Sequence, residues 1–226
     1  MEINDIRQTL QNADTGAKIQ VIQAICRDRR ADFLPDLLSL LASDELGYFV
    51  EECLPSFGEM IIPELISLLS TTETPPTART RAAGILALLG KKEAIPVLLA
   101  AIEHPSSNHA YLNRLAQLAP AELATHLETL LRKNIASAIM TNDDRMADYF
   151  VQLIATATQL GSQWRNVAEL EQILQHGKHW RLRVAAAEAL HHVDPPRYDP
   201  LIRRVAALAA QDGQMVLMRA LYRLTM

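Results

Sequence analysis

A chain of 226 residues with 49% apolar and 21% charged side chains has ample apolar mass for a folded core. Its net charge of −4 and pI of about 6.0 argue against a surface built to neutralise nucleic-acid phosphates. Aromatics are only 5%, so leucine and alanine must carry the packing, which suits closely packed helices better than a sheet.

In chain order, residues 2–11 predict a short leading helix. Asp14 is placed to cap the next one, since its carboxylate accepts from free N–H groups of a first turn. That helix runs from Gly16 to about Cys26, with Ala17, Ile19, Val21, Ile22 and Ile25 apolar. Its partner begins near Asp32, with Pro35 in the first turn, where a missing N–H costs nothing. A second helical pair spans Ser43 to about Ser70, opened by a capping hydroxyl and the acids Asp44 and Glu45, which suit a helix N-terminus. The third follows Thr74-Pro75-Pro76, with helices at Ala78–Leu89, stopped by Gly90, and at about Glu93–Glu103. The fourth starts after His104-Pro105-Ser106-Ser107 and contains Leu112, Leu115 and Leu118, then Leu123, Leu127, Leu130 and Leu131. A fifth, degenerate pair is placed near Asp143–Leu160 and Ser162–Gln175, ending at Gly177. The sixth has helices at about His179–His191 and after Pro195-Pro196, and a last amphipathic helix covers Asp212 to about Leu224.

Three of these segments share a motif. Leu34-Pro35-Asp36-Leu37-Leu38-Ser39-Leu40-Leu41 returns as Ile62-Pro63-Glu64-Leu65-Ile66-Ser67-Leu68-Leu69 and again as Ile95-Pro96-Val97-Leu98-Leu99-Ala100-Ala101-Ile102. Its prolines are 28 and then 33 residues apart, a period expected of stacked helical hairpins. A second motif links Arg79-Thr80-Arg81-Ala82-Ala83-Gly84-Ile85-Leu86 with Arg181-Leu182-Arg183-Val184-Ala185-Ala186-Ala187-Glu188. Arginine followed by alanines and a leucine-containing turn resembles the first helix of HEAT repeats, in the short bacterial form also found in phycobilin-lyase-type proteins. The resemblance covers residues 14–104 and 179–210 well, and 105–176 by pattern only. It implies an all-α fold: a right-handed α-solenoid of about six HEAT-like helical hairpins with a C-terminal capping helix, in one domain over 1–226. The small residues Ala82, Ala83, Ala185 and Ala186 should be buried where helices approach closely. An arginine of the first turn should reach the preceding repeat.

Cys26 and Cys53 fall inside apolar helical patterns at corresponding places in adjacent first helices. The direct reading is two buried thiols in a reducing compartment. A disulfide stays open, because spacing alone cannot establish one. The polar, acidic start Met1-Glu2-Ile3-Asn4-Asp5 has no leader-like pattern, and no apolar run approaches the roughly 18 residues of a membrane span. A cytoplasmic protein without membrane contact is expected.

Charge supplies the functional expectation. Between Ala31 and Ala78 stand nine acids and no Lys or Arg, whereas residues 177–226 carry a net +4. An acidic first third would attract a basic protein partner and speed its encounter. Asp36 and Glu64 occupy one register position in successive second helices, with Ser39 and Ser67 beside them. The resemblance places second helices on a concave face. The expected partner-binding residues are therefore Asp36, Ser39, Glu64 and Ser67, together with Glu51 and Glu52. No enzymatic role, cofactor or metal is expected: the histidine spacings match no H-E-x-x-H or Cys/His quartet, and no G-x-S-x-G or P-loop motif occurs. Two alternatives come from the resemblance. One is a phycobilin-lyase-like enzyme or chaperone subunit holding a tetrapyrrole in its groove, with Tyr48, Phe49, Tyr111, Tyr149 and Phe150 as candidate groove aromatics. The other is a DNA-binding or glycosylase protein with Trp164 and Trp180 stacking a base; nucleic acid is not the expected partner. An inhibitor or immunity-type protein would instead hold one tight stoichiometric partner.

Overall fold

The computed structural model describes residues 3–105, 109–161 and 167–226. Among the described residues every regular element is helical, so the fold is all-α. The helices are α1 (Ile3–Asn12), α2 (Thr15–Arg27), α3 (Leu34–Leu40), α4 (Gly47–Cys53), α5 (Ile62–Ser70), α6 (Pro76–Leu88), α7 (Ile95–Ala101), α8 (His109–Leu118), α9 (Pro120–Lys133), α10 (Ile135–Met140), α11 (Asp144–Gln159), α12 (Val167–His176), α13 (Trp180–Val193), α14 (Pro195–Gln211) and α15 (Met215–Leu224). The openings of the fourth and fifth pairs expected at Ser106-Ser107 and Ser162 lie outside the described residues, as does Trp164.

Local chemistry sets the helix ends. Asp14 Oδ1 accepts from Ala17 N at 2.9 Å, as its position predicts, and Asp143 does the same for Met146 N at 2.9 Å. In α3, α5 and α7 proline is the second residue, where its missing N–H is one of the helix's orphans. Gly90 takes φ 72° just beyond α6, and Lys91 N closes back on Leu86 O at 2.9 Å, the left-handed stop that glycine permits.

The helices cluster into two compact units. The first holds residues 1–102 and 113–118, and the second holds 103–112 and 119–226, so α8 contributes to both. In the first unit α2 packs on α4 and α4 on α6, while α3, α5 and α7 each lie against the helix next to them in the chain. Phe33, Leu37, Val50, Ile61, Leu65 and Leu98 fill the core beside Ala82 and Ala83, which are wholly buried. Those two alanines are the close contacts the repeated motif predicts. Arg81 explains another small residue. Its Nη1 donates to Leu41 O and Ser43 O, both at 2.7 Å, in the segment joining the two preceding hairpins. A Cβ on Gly47 would lie 1.9 Å from that nitrogen, so the arginine requires a glycine there.

Cys26 and Cys53 are joined in a disulfide that ties α2 to α4 across 27 residues. The expectation of two separate thiols is thereby corrected: adjacent first helices bring the Cα atoms to 5.8 Å, within bonding range. The expectation about apolar runs also needs amendment. Among the described residues, Gly47–Ser70 is long and apolar enough to pass for a membrane span. It is not one straight helix, because Gly58 at φ 63°, ψ −136° breaks it between α4 and α5.

In the second unit α9 packs on α11, α11 on α13 and α13 on α15, with α10, α12 and α14 forming the other succession. Ala185 and Ala186 are buried, again as the motif predicts. Two features differ from the sequence reading. A six-residue helix, α10, occupies Ile135–Met140, where none was expected. In addition, α9, expected as the second member of a hairpin, packs in line with the first helices. Both members of a helical hairpin show the same 3.6-residue apolar period, so the pattern of Leu123, Leu127, Leu130 and Leu131 does not tell one row from the other.

Candidate partner-binding surface

The repeated Leu/Ile-Pro-acid motif places Asp36 as the third residue of α3 and Glu64 as the third residue of α5. In α7 the same position holds Val97, so the acidic pattern stops after two repeats. Glu64, Ser39 and Ser67 are exposed and Asp36 is half-buried. Each motif turns its leucines inward, Leu37 and Leu65 being wholly buried, and its polar residues outward.

The acids are not equivalent. Arg7 Nε donates to Asp36 Oδ2 at 3.1 Å, so the leading helix already neutralises this carboxylate. Ser39 turns its hydroxyl onto its own helix, donating to Asp36 O at 2.7 Å. Asp32 is held below the ordinary carboxylate range by its hydrogen bond from Arg30. Glu59 has Lys91 Nζ at 3.7 Å. Glu64 and Glu73 stand exposed, and among the described residues no hydrogen bond or ion pair reaches the Glu64 carboxylate.

Glu51 is a correction. It was expected on the partner-binding surface, but only 2% of it is exposed, and its carboxylate pairs with the Arg114 guanidinium inside the first unit. The same guanidinium reaches Glu52 Oε1 at 3.2 Å, on the exposed side. The physical reason is helix phase: adjacent residues on α4 point about 100° apart, so one acid turns inward while the next stays at the surface. A buried carboxylate demands a partner. The sequence reading passed over Arg114, although a lone cation among Leu112, Leu115 and Leu118 is the available signal for such a buried pair.

The other candidates disperse. Tyr111, Tyr149 and Phe150 are buried and Phe49 is half-buried, whereas Tyr48 is 52% exposed, so most of the aromatics proposed for a groove serve packing. The histidines work locally: His191 Nδ1 lies 2.7 Å from Asp199 Oδ1, and His179 Nε2 lies 3.0 Å from Asp144 Oδ1. Among the described residues no group of three His, Cys, Asp or Glu side chains converges in a metal-binding arrangement. No family model matches the chain, and no match is found among curated proteins.

Proposed function

We propose that this protein is a HEAT-like α-solenoid that acts without catalysis, binding a protein partner with a basic surface through its second helices. Glu64 and Ser67 of α5 form the centre of the binding surface, with Ser39, Asp36 and Glu52 at its margin. One observation carries the reading: α3 and α5, the alternate helices of this segment, present an acid and a serine at the same register positions, in a 31–78 stretch free of lysine and arginine. The succession of like helices within each unit supports the stacked-repeat architecture. Long-range attraction from such a surface acts mainly on encounter and fades with salt.

The cytoplasmic setting stands as part of this proposal, and the Cys26–Cys53 disulfide bears against it, because disulfides persist mainly in oxidising compartments. Thiol labelling of protein taken directly from its native host would decide that point.

The functional test is capture of partners at low and high salt by the wild type and by Glu64→Lys. Glu64 is exposed and has no hydrogen-bond or ion-pair partner among the described residues, so the substitution is expected to leave the fold intact. A basic partner released by salt and bound about fivefold more weakly by the variant would support the proposal. Equal capture by both proteins would remove α5 from the binding surface.

A further inference from the structure

Two exposed places on this chain carry opposite charge beside apolar surface. One is the α5 surface of the first unit. Glu64 is exposed there with no hydrogen-bond or ion-pair partner among the described residues. Met60, two residues ahead of α5, is 55% exposed. Glu59 beside it leaves 91% of its side chain exposed even with Lys91 Nζ at 3.7 Å.

The other is the outward face of α15 in the second unit. The sequence of α15 contains two arginines and no acid. Its inward side is Leu217 and Leu221, both buried, where it packs on α13 and α14. At about 100° per residue the opposite side carries Val216, Arg219 and Arg223, spaced i, i+3 and i+7. Both arginines are exposed, and no hydrogen bond or ion pair reaches either guanidinium among the described residues. Arginines that serve the fold of this unit are engaged instead: Arg203 donates to Thr225 O at 2.7 Å and Arg183 to Leu174 O at 2.9 Å. Val216 is 62% and Met215 47% exposed. Apolar side chains set among solvent-facing charges are the composition of an interaction surface.

We propose that the outward face of α15 binds the acidic α5 surface of a second copy of this chain. Arg219 and Arg223 pair with Glu64 and Glu59, and Val216 and Met215 pack on Met60. The proposal rests on the reading of α5 as a partner-binding surface and names the basic partner as the chain itself. Charge complementarity commits the face to this occupant: an acidic surface with an apolar centre steers and orients a basic one of the same make-up.

The test is sedimentation velocity of the full chain between about 5 and 500 μM, in about 50 mM and about 500 mM NaCl. Expected is reversible association with a dissociation constant of about 100 μM or tighter at low salt, weakened about tenfold at high salt. Arg219→Glu with Arg223→Glu should weaken it by at least about tenfold, and Glu64→Lys by about fivefold. An equimolar mixture of these two variants should form a mixed complex at wild-type affinity, because the intact α15 of one meets the intact α5 of the other. All three substituted residues are exposed and without a partner among the described residues, so the variants are expected to keep the fold. A wild type that stays monomeric at the highest concentration, or association indifferent to salt or to the α15 reversal, overturns the proposal. Association indifferent to Glu64→Lys moves the contact off α5 and overturns it too. A monomeric chain that captures a different basic protein through Glu64 leaves the α5 reading standing and overturns the second copy as its partner. A monomeric chain that sediments with phosphatidylserine vesicles through Arg219 and Arg223 makes an anionic membrane the occupant of α15 and likewise overturns it.

Discussion

Arg81 in the first unit and Arg183 in the second hold the same place in the repeated arginine–alanine motif, and their surroundings make different use of them. Arg81 donates to two backbone carbonyls at 2.7 Å, whereas Arg183 donates to one, Leu174 O at 2.9 Å, and to the Gln214 side chain. A glycine lies beside each: a Cβ on Gly47 would strike the Arg81 guanidinium, whereas one on Gly177 would first meet Ile173 O at 2.5 Å, with Arg183 Cγ farther off at 3.3 Å. The first unit adds a buried ion pair and a disulfide to this shared device. The second unit relies on leucine and alanine packing, with histidine–aspartate contacts near its surface. The motif fixes where an arginine enters the helical packing, and the neighbouring helices decide how much stability depends on it.

If the first unit depends on its charged core, the largest effect should come from Arg114. Arg114→Met leaves the Glu51 carboxylate buried without its guanidinium, and breaking such a pair costs about 3–5 kcal/mol. Urea denaturation should show this loss. Adding Glu51→Leu to the same chain should recover most of it, because an apolar pair of similar volume needs no charge compensation. Failure of the double variant to recover would mean that the pair also sets the position of α8.

The disulfide comes next. Closing a 27-residue separation restricts the unfolded chain by about 3.5 kcal/mol in the loop-entropy account. Calorimetry with and without reductant should lower the melting temperature by several degrees, and Cys26→Ala with Cys53→Ala should reproduce the reduced value. An unchanged transition would place the stability of the first unit in its apolar core and the Arg114 pair.

The helical character was legible in the sequence because apolar period, caps and prolines agree: Asp14, Pro35, Pro63, Pro96 and Gly90 each mark a boundary close to where it falls. The burial of the small residues was legible for a similar reason, since Ala82 and Ala186 of the arginine–alanine motif are wholly buried. Three things were hidden. The helix α10 is too short to show a period. The hairpin row of α9 depends on tertiary packing that both rows encode alike. The inward turn of Glu51 depends on which face of α4 meets the core, and a run of adjacent acids conceals that phase. The candidate surface was therefore only partly readable: Glu64, Ser39 and Ser67 are exposed, Asp36 is engaged by Arg7, and Glu51 is in the interior.

The smallest of these effects separates the two units by pH. Burial first, and then the charge of Glu103, push the Tyr149 hydroxyl in the second unit up to about 12 from an ordinary value of 10.0. The hydroxyl donates to Glu103 O at 3.1 Å. A raised pKa means that the folded state retains a proton the unfolded chain gives up. The contribution is therefore complete below pH 10 and is lost as pH rises from 10 to 12. Tyr198, whose buried hydroxyl has no partner among the described residues, shifts in the same direction through burial. Both tyrosines belong to the second unit. Tyr149→Phe should cost about 1 kcal/mol at pH 8 through the lost hydrogen bond. The stability curves of variant and wild type should then converge as pH rises through 10, with the slope due to Tyr198 left in both. A constant gap at pH 8, 10 and 11 would show that Tyr149 ionises alike in the folded and unfolded chains and contributes through packing alone.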